Sequence, residues 1–181
     1  DLTFTHFVHV DAGRLSQELL PSAALHPNLT LDTLIFEHSP TRGFMGLFWA
    51  RLFELRVRNL AVRHCQISDL FLTLTDPSRN PFLNMHTIDF SFNLFTVLHR
   101  QSVRFGPRRF IFDGNPLIGI TDDFLGNRVD GRHFSQSVEY LSIRHAVGPL
   151  DLSALLSISM PHLRELDVSH TPISRLRGPN L

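Results

Sequence analysis

Lysine is missing altogether: every one of the 17 basic residues is arginine. That excludes Schiff-base chemistry, a phosphate-loop lysine and lysine modification in one stroke. Cysteine occurs once, at Cys65, so no internal disulfide can form and no redox compartment is readable from a bridge framework. Charge of one sign is not in excess either. The 17 basic residues face 17 acidic ones, and a chain with zero net charge lacks the electrostatic footprint that a phosphate backbone demands. Long apolar runs are missing too, with nothing near the roughly 18–20 residues of a membrane span. The N-terminal stretch "DLTFTHFVHV" carries no initiating Met and no signal-peptide design, and it reads as part of something longer.

What is present is a repeat. The phrase "LAVRHCQI" at 60–67 returns as "LSIRHAVG" at 141–148, and the pattern apolar-x-apolar behind it recurs seven times, from Leu2, Leu34, Leu60, Ile88, Phe110, Leu141 and Leu166. Spacings run from 22 to 32 residues, the range of a stacked solenoid unit. Three residues before the complete copies stand Leu31, Val57, Met85, Pro107, Val138 and Leu163. Five residues after the first apolar position comes a small polar or sulfur-bearing slot in most copies: Ser39, Cys65, Asn93, Asn115 and Thr171, with Phe7 and Ala146 departing from it. Alternation of buried and wet residues predicts one short strand per unit, near 2–5, 33–37, 59–63, 87–91, 109–113, 140–144 and 165–169. A residue in the slot is expected to turn inward and hydrogen-bond the neighbouring coil.

Written as L-x-x-L-x-L-x-x-N-x-L, the frame resembles the leucine-rich-repeat family over essentially the whole chain, 1–181. "MHTIDFSFNLF" (85–95), "PRRFIFDGNPL" (107–117) and "LRELDVSHTPISRL" (163–176) carry it best, the last being similar to the version common in animal extracellular members. The resemblance implies an α/β fold: a right-handed solenoid of about seven repeats in a horseshoe arc. Its parallel sheet would line the concave face, with loops, 3₁₀ turns and short helices on the convex side. Short helices or 3₁₀ turns are expected on the convex side, especially in "GLFWARLFEL" (46–55) and "LDLSALLSI" (150–158). Neither end shows a polar cap, so a segment of a longer solenoid is expected.

The function expected from the resemblance is non-catalytic: a protein-binding module of a cell-surface receptor or adhesion protein, akin to Toll-type receptors and chaoptin-like proteins. The rival is a cytoplasmic scaffold. Concave-face candidates are Glu37, Arg63, Asp89, Phe92, Arg109, Asp113, Tyr140, Arg144, Glu165 and Asp167. Acidic residues spread singly over a sheet suit binding and give no reaction centre, so no catalytic residue, cofactor or metal is assigned. The partner is a protein of unspecified identity. A homodimer is compatible with the pattern, nucleic acid is not expected, and a membrane would be reached only through other parts of a parent chain.

Three features stand beside that reading. A histidine follows the strand in five copies, at His6, His38, His64, His145 and His170, and adjacent pairs of such a ladder could titrate together or share a metal. Arg100, Arg104, Arg108 and Arg109 are interleaved with Phe105 and Phe110, a cluster that would suit an anionic glycan. Asn28-Leu29-Thr30 is the single N-glycosylation sequon. "TDDFLGNRVDG" (121–131) departs from calcium-loop spacing and is expected to be a return loop plugged by Phe124.

Overall fold

The computed structural model describes residues 2–5, 30–38, 56–68, 85–99, 107–121, 123–124, 128–129, 132–133 and 137–176. Seven strands form one parallel sheet: β1 (Leu2–Thr5), β2 (Thr30–Glu37), β3 (Arg56–Arg63), β4 (Thr87–Asp89), β6 (Arg109–Ile111), β10 (Tyr140–Ser142) and β12 (Glu165–Asp167). Between them run β5 (Val97–Leu98), β7 (Gly119–Ile120), β11 (Leu150–Asp151) and β13 (Ile173–Arg175), which pair in parallel as a second sheet. A short antiparallel pair, β8 (Arg128–Val129) and β9 (Arg132–His133), stands apart. The chain is therefore a parallel β-solenoid. Four coils show both of their strands: β4 with β5, β6 with β7, β10 with β11 and β12 with β13.

Register follows the sequence frame. Leu34 pairs with Leu60, Leu60 with Ile88, Ile88 with Phe110, Phe110 with Leu141 and Leu141 with Leu166. Side chains two residues apart on a strand share a face, so Phe36, Val62, Phe90, Phe112 and Ile143 form a second row parallel to the first. Both rows are buried up to β10. Phe90, Phe95, Phe110, Phe112 and Phe124 interlock across coils, with neighbouring ring centroids 4.6–6.5 Å apart, which is the preferred range for aromatic pairs. Phe124 closes this core from the 121–131 return. On β12 the same two rows, Leu166 and Val168, are only partly buried, because no described coil lies beyond them.

The returns depart from the α/β expectation. A strand of two or three residues, not a helix, marks each of the four described returns, because extended segments can stack in parallel and satisfy their amides on the next coil. The 150–158 segment holds β11 and a single 3₁₀ turn, Leu155–Ser157. The 46–55 segment lies outside the described residues. No helix among the described residues is long and apolar enough to cross a membrane.

Candidate functional site: the strand exits and outer sheet face

Directly after each strand the chain turns sharply. His38, His64, Phe92, Gly114, His145 and His170 all adopt left-handed backbone angles, with φ between 51° and 66°. For a non-glycine residue that geometry costs about 1–2 kcal/mol, so something must hold it. One restraint is a row of backbone rungs: the N–H of His38, His64, Phe92, Gly114 and His145 donates to the carbonyl of Arg63, Ser91, Asp113, Arg144 and Ser169 respectively, at 2.7–3.3 Å. The turn aims the following residue inward. Asn93 there donates from Nδ2 to the carbonyls of Val62 (2.7 Å) and Phe90 (3.0 Å), while its Oδ1 accepts from the amides of Cys65 and Ile67. Asn115 repeats this one coil on, donating to Phe90 and Phe112 and accepting from Asn93 and Phe95. Thr171 does the same with one hydroxyl, to Ile143 and from Ala146. Cys65 is buried in the same slot and donates its thiol to the carbonyl of Arg63.

The second restraint is a stack of rings. His38 lies on His64 with centroids 4.5 Å apart, and His64 lies on Phe92 at 4.5 Å and 2° from parallel. Phe92, which holds the strand-exit slot of its own copy, is thus a rung of the same stack as the histidines. The Phe92 ring then covers Gly114, where a Cβ would sit 2.3 Å from Cδ1. Beyond it His145 and His170 stack at 4.8 Å and 1°. His6 lies outside the described residues. Parallel rings set their in-plane lone pairs side by side and do not aim them at one point, and no group of three or more His, Cys, Asp or Glu side chains among the described residues could hold a metal ion.

Just inside the exits, on the outer face of the seven-stranded sheet, charges are paired in a pattern that occurs twice. Arg63 binds Asp89 through Nε and Nη2, each at 2.7 Å, and reaches Glu37 at 3.1 Å. Arg144 binds Asp113 through Nε (2.8 Å) and Nη2 (2.7 Å), with Asp167 at 3.7 Å. In both clusters the arginine comes from the middle strand's coil, one acid lies level with it in the frame on the preceding coil and the other lies two residues earlier in the frame on the following strand. The tighter contact goes each time to the more buried acid, since a buried carboxylate without a partner is costly. Serines complete the aspartates. Ser91 caps Asp89, Ser142 donates to Asp113 at 2.6 Å and Ser169 donates to Asp167 at 2.7 Å.

Electrostatics follow the geometry. Burial works against the Arg63 charge, but Asp89 and Glu37 outweigh it and raise its pKa further. The hydrogen bond and charge of Asp113 do the same for Arg144. The Ser169 hydroxyl and amide hold the Asp167 carboxyl below its ordinary value. Burial, with His38 and Arg63 close by, lowers His64, against an opposing pull from Glu37.

The structure thus divides the candidate residues. Asp89 and Asp113 are buried and bound to their arginines and serines. Glu37 and Arg63 belong to one cluster, Arg144 and Asp167 to the other. Arg109 lays its guanidinium 3.8 Å from the centre of the Tyr140 ring, on the strand next to it, and Glu165 is exposed on the far side of Tyr140 in register. Arg108 instead pairs with Glu139, while Arg100, Arg104 and the sequon Asn28 lie outside the described residues. The sequence frame places Ser91, Ser142 and Ser169 at wet strand positions of the concave face but does not pair them with the aspartates; the Asp-x-Ser spacing in "DFS" and "DVS" is the signal that could have found two of those pairings.

Comparison of the chain with family models, with curated proteins and with solved structures returned no match.

Proposed function

We propose that this solenoid is a leucine-rich-repeat segment that binds a protein ligand on the outer face of its seven-stranded sheet, without catalysis. The asparagine slot after each strand, reaching one coil back, supports the repeat assignment beyond the bare parallel solenoid. The observation that carries the binding reading is the ordering of that face: Arg63, Arg144 and the Arg109–Tyr140 pair are locked by neighbours into fixed positions while still exposed in part. Arginine and tyrosine held rigid in this way lose little entropy on binding, which suits them as anchors. The parent protein in this reading is a cell-surface receptor or adhesion protein.

A panel of secreted and cell-surface proteins, presented to the chain by surface plasmon resonance, tests it. A specific binder should lose at least about 10-fold in affinity on Tyr140→Ala with Arg109→Ala, and should keep its affinity on Ser174→Ala and Leu156→Ser on the opposite sheet and return. Binding lost only through the second pair, or indifferent to both, contradicts the reading.

A further inference from the structure

We propose that the His38–His64–Phe92 stack is an acid-responsive latch on the strand-exit edge, which holds three left-handed turns closed while the imidazoles are neutral and releases them when they take up protons. The inference is independent of any partner. Its basis is the coincidence of two features at the same residues: backbone angles that non-glycine side chains adopt only under restraint, and titratable rings that provide part of the restraint.

The middle ring decides the behaviour. His64 is covered on one side by His38 from the end of β2 and on the other by Phe92 from the end of β4, both at 4.5 Å. A proton on His64 faces the Arg63 guanidinium of its own strand, the His38 ring and Glu37 from β2, and the Phe92 ring from the β4 exit. The carboxylates of this cluster, Glu37 from β2 and Asp89 from β4, are both engaged by Arg63, at 3.1 and 2.7 Å. If His38 is charged as well, two cationic rings lie face to face. These surroundings depress the proton affinity of His64, consistent with its lowered pKa. By linkage, what lowers proton affinity in the closed form makes proton uptake open it. The rung from His64 to Ser91 is the longest of the five, at 3.3 Å just past the ordinary range, and is the one placed to yield when the stack no longer supports the turns.

The His145–His170 stack beside Arg144 repeats the arrangement, with φ of 54° and 56°. In that cluster only two rings stack, because the exit of the β6 coil carries Gly114.

The test is a proton NMR titration of the four stacked histidines from pH 8 to 4.5, combined with amide exchange at His64 and Phe92. His64 should titrate below its ordinary value of 6.5. Exchange at both amides, corrected for intrinsic rates, should rise about 10-fold through that midpoint. His64→Phe keeps a ring in the stack without the charge and should abolish the rise. His38→Phe removes the neighbouring charge and should move the His64 midpoint upward, which keeps the proposal testable if the first variant misfolds. A His64 midpoint at or above 6.5, or protection that stays level through the titration, overturns it.

Discussion

Arg63 holds Asp89 with two nitrogens, Nε and Nη2, each 2.7 Å from the same carboxylate oxygen. Three strands further along the sheet, about 14 Å at ordinary strand spacing, Arg144 holds Asp113 in nearly the same way. The repeated phrase "RHC" and "RHA" thus marks neither a reaction centre nor a bare frame. It marks the middle strand of a three-coil pattern, acid then arginine then Asp-x-Ser, built once on β2, β3 and β4 and again on β6, β10 and β12.

The asparagine slot should be the largest single polar contribution to stability. Asn93→Ala leaves the amides of Cys65 and Ile67 and the carbonyl of Val62 buried without that partner. Each such group costs about 1–3 kcal/mol, so urea denaturation should show a loss of at least about 2 kcal/mol. Thr171→Ala, in a half-open coil with two such bonds, should cost less. Equal losses, or a negligible one at Asn93, would count against the ladder.

Gly114 is required twice over, by its φ of 66° and by the Phe92 ring that lies where a Cβ would go. Gly114→Ala should destabilise by about 1–3 kcal/mol. Phe92→Ala opens that space, so the double variant should be more stable than the sum of the two single changes predicts, with the residual loss set by the backbone angle. Strict additivity would show that the ring does not rest on the glycine.

Acid should weaken the fold in two separate steps. His64 and Asp167 both have folded-state pKa values below their unfolded ones, so each contributes stability at neutral pH that is lost as protons bind. For His64 the loss begins as pH falls below 6.5; for Asp167 it begins below 3.8 and continues through its lower folded value. Thermal melts between pH 8 and 2.5 should show both steps, with His64→Phe removing the first and Ser169→Ala shrinking the second. A single step insensitive to both substitutions would contradict the assignment.

Much of this architecture is legible in the sequence because buried apolar residues at a fixed offset leave no freedom of register. Leu60, Val62 and Cys65 turn inward together, and so do Leu141, Ile143 and Ala146. The second sheet is not legible: Val97–Leu98 and Gly119–Ile120 are two-residue strands, too short to show a period of two. Nor does alternation alone reveal that Asp89 and Asp113 are buried, since it places them on the wet face and burial there comes from the side chains laid over them. Alignment of the copies puts Glu37 level with Arg63, and Asp113 with Arg144, but it leaves Asp89 and Asp167 two residues earlier, so the contact each makes with an arginine depends on side-chain reach that register does not show.

Each arginine cluster is held by the two-nitrogen bond to its more buried acid, Asp89 on the following strand for Arg63 and Asp113 on the preceding coil for Arg144. Parallel double-mutant cycles measure it, one with Arg63→Met and Asp89→Asn, the other with Arg144→Met and Asp113→Asn, each read by urea denaturation. Both pairs should show a favourable coupling of about 1 kcal/mol or more and agree with each other within about 0.5 kcal/mol. A coupling near zero in either pair, or one strong pair beside one absent pair, would contradict the claim.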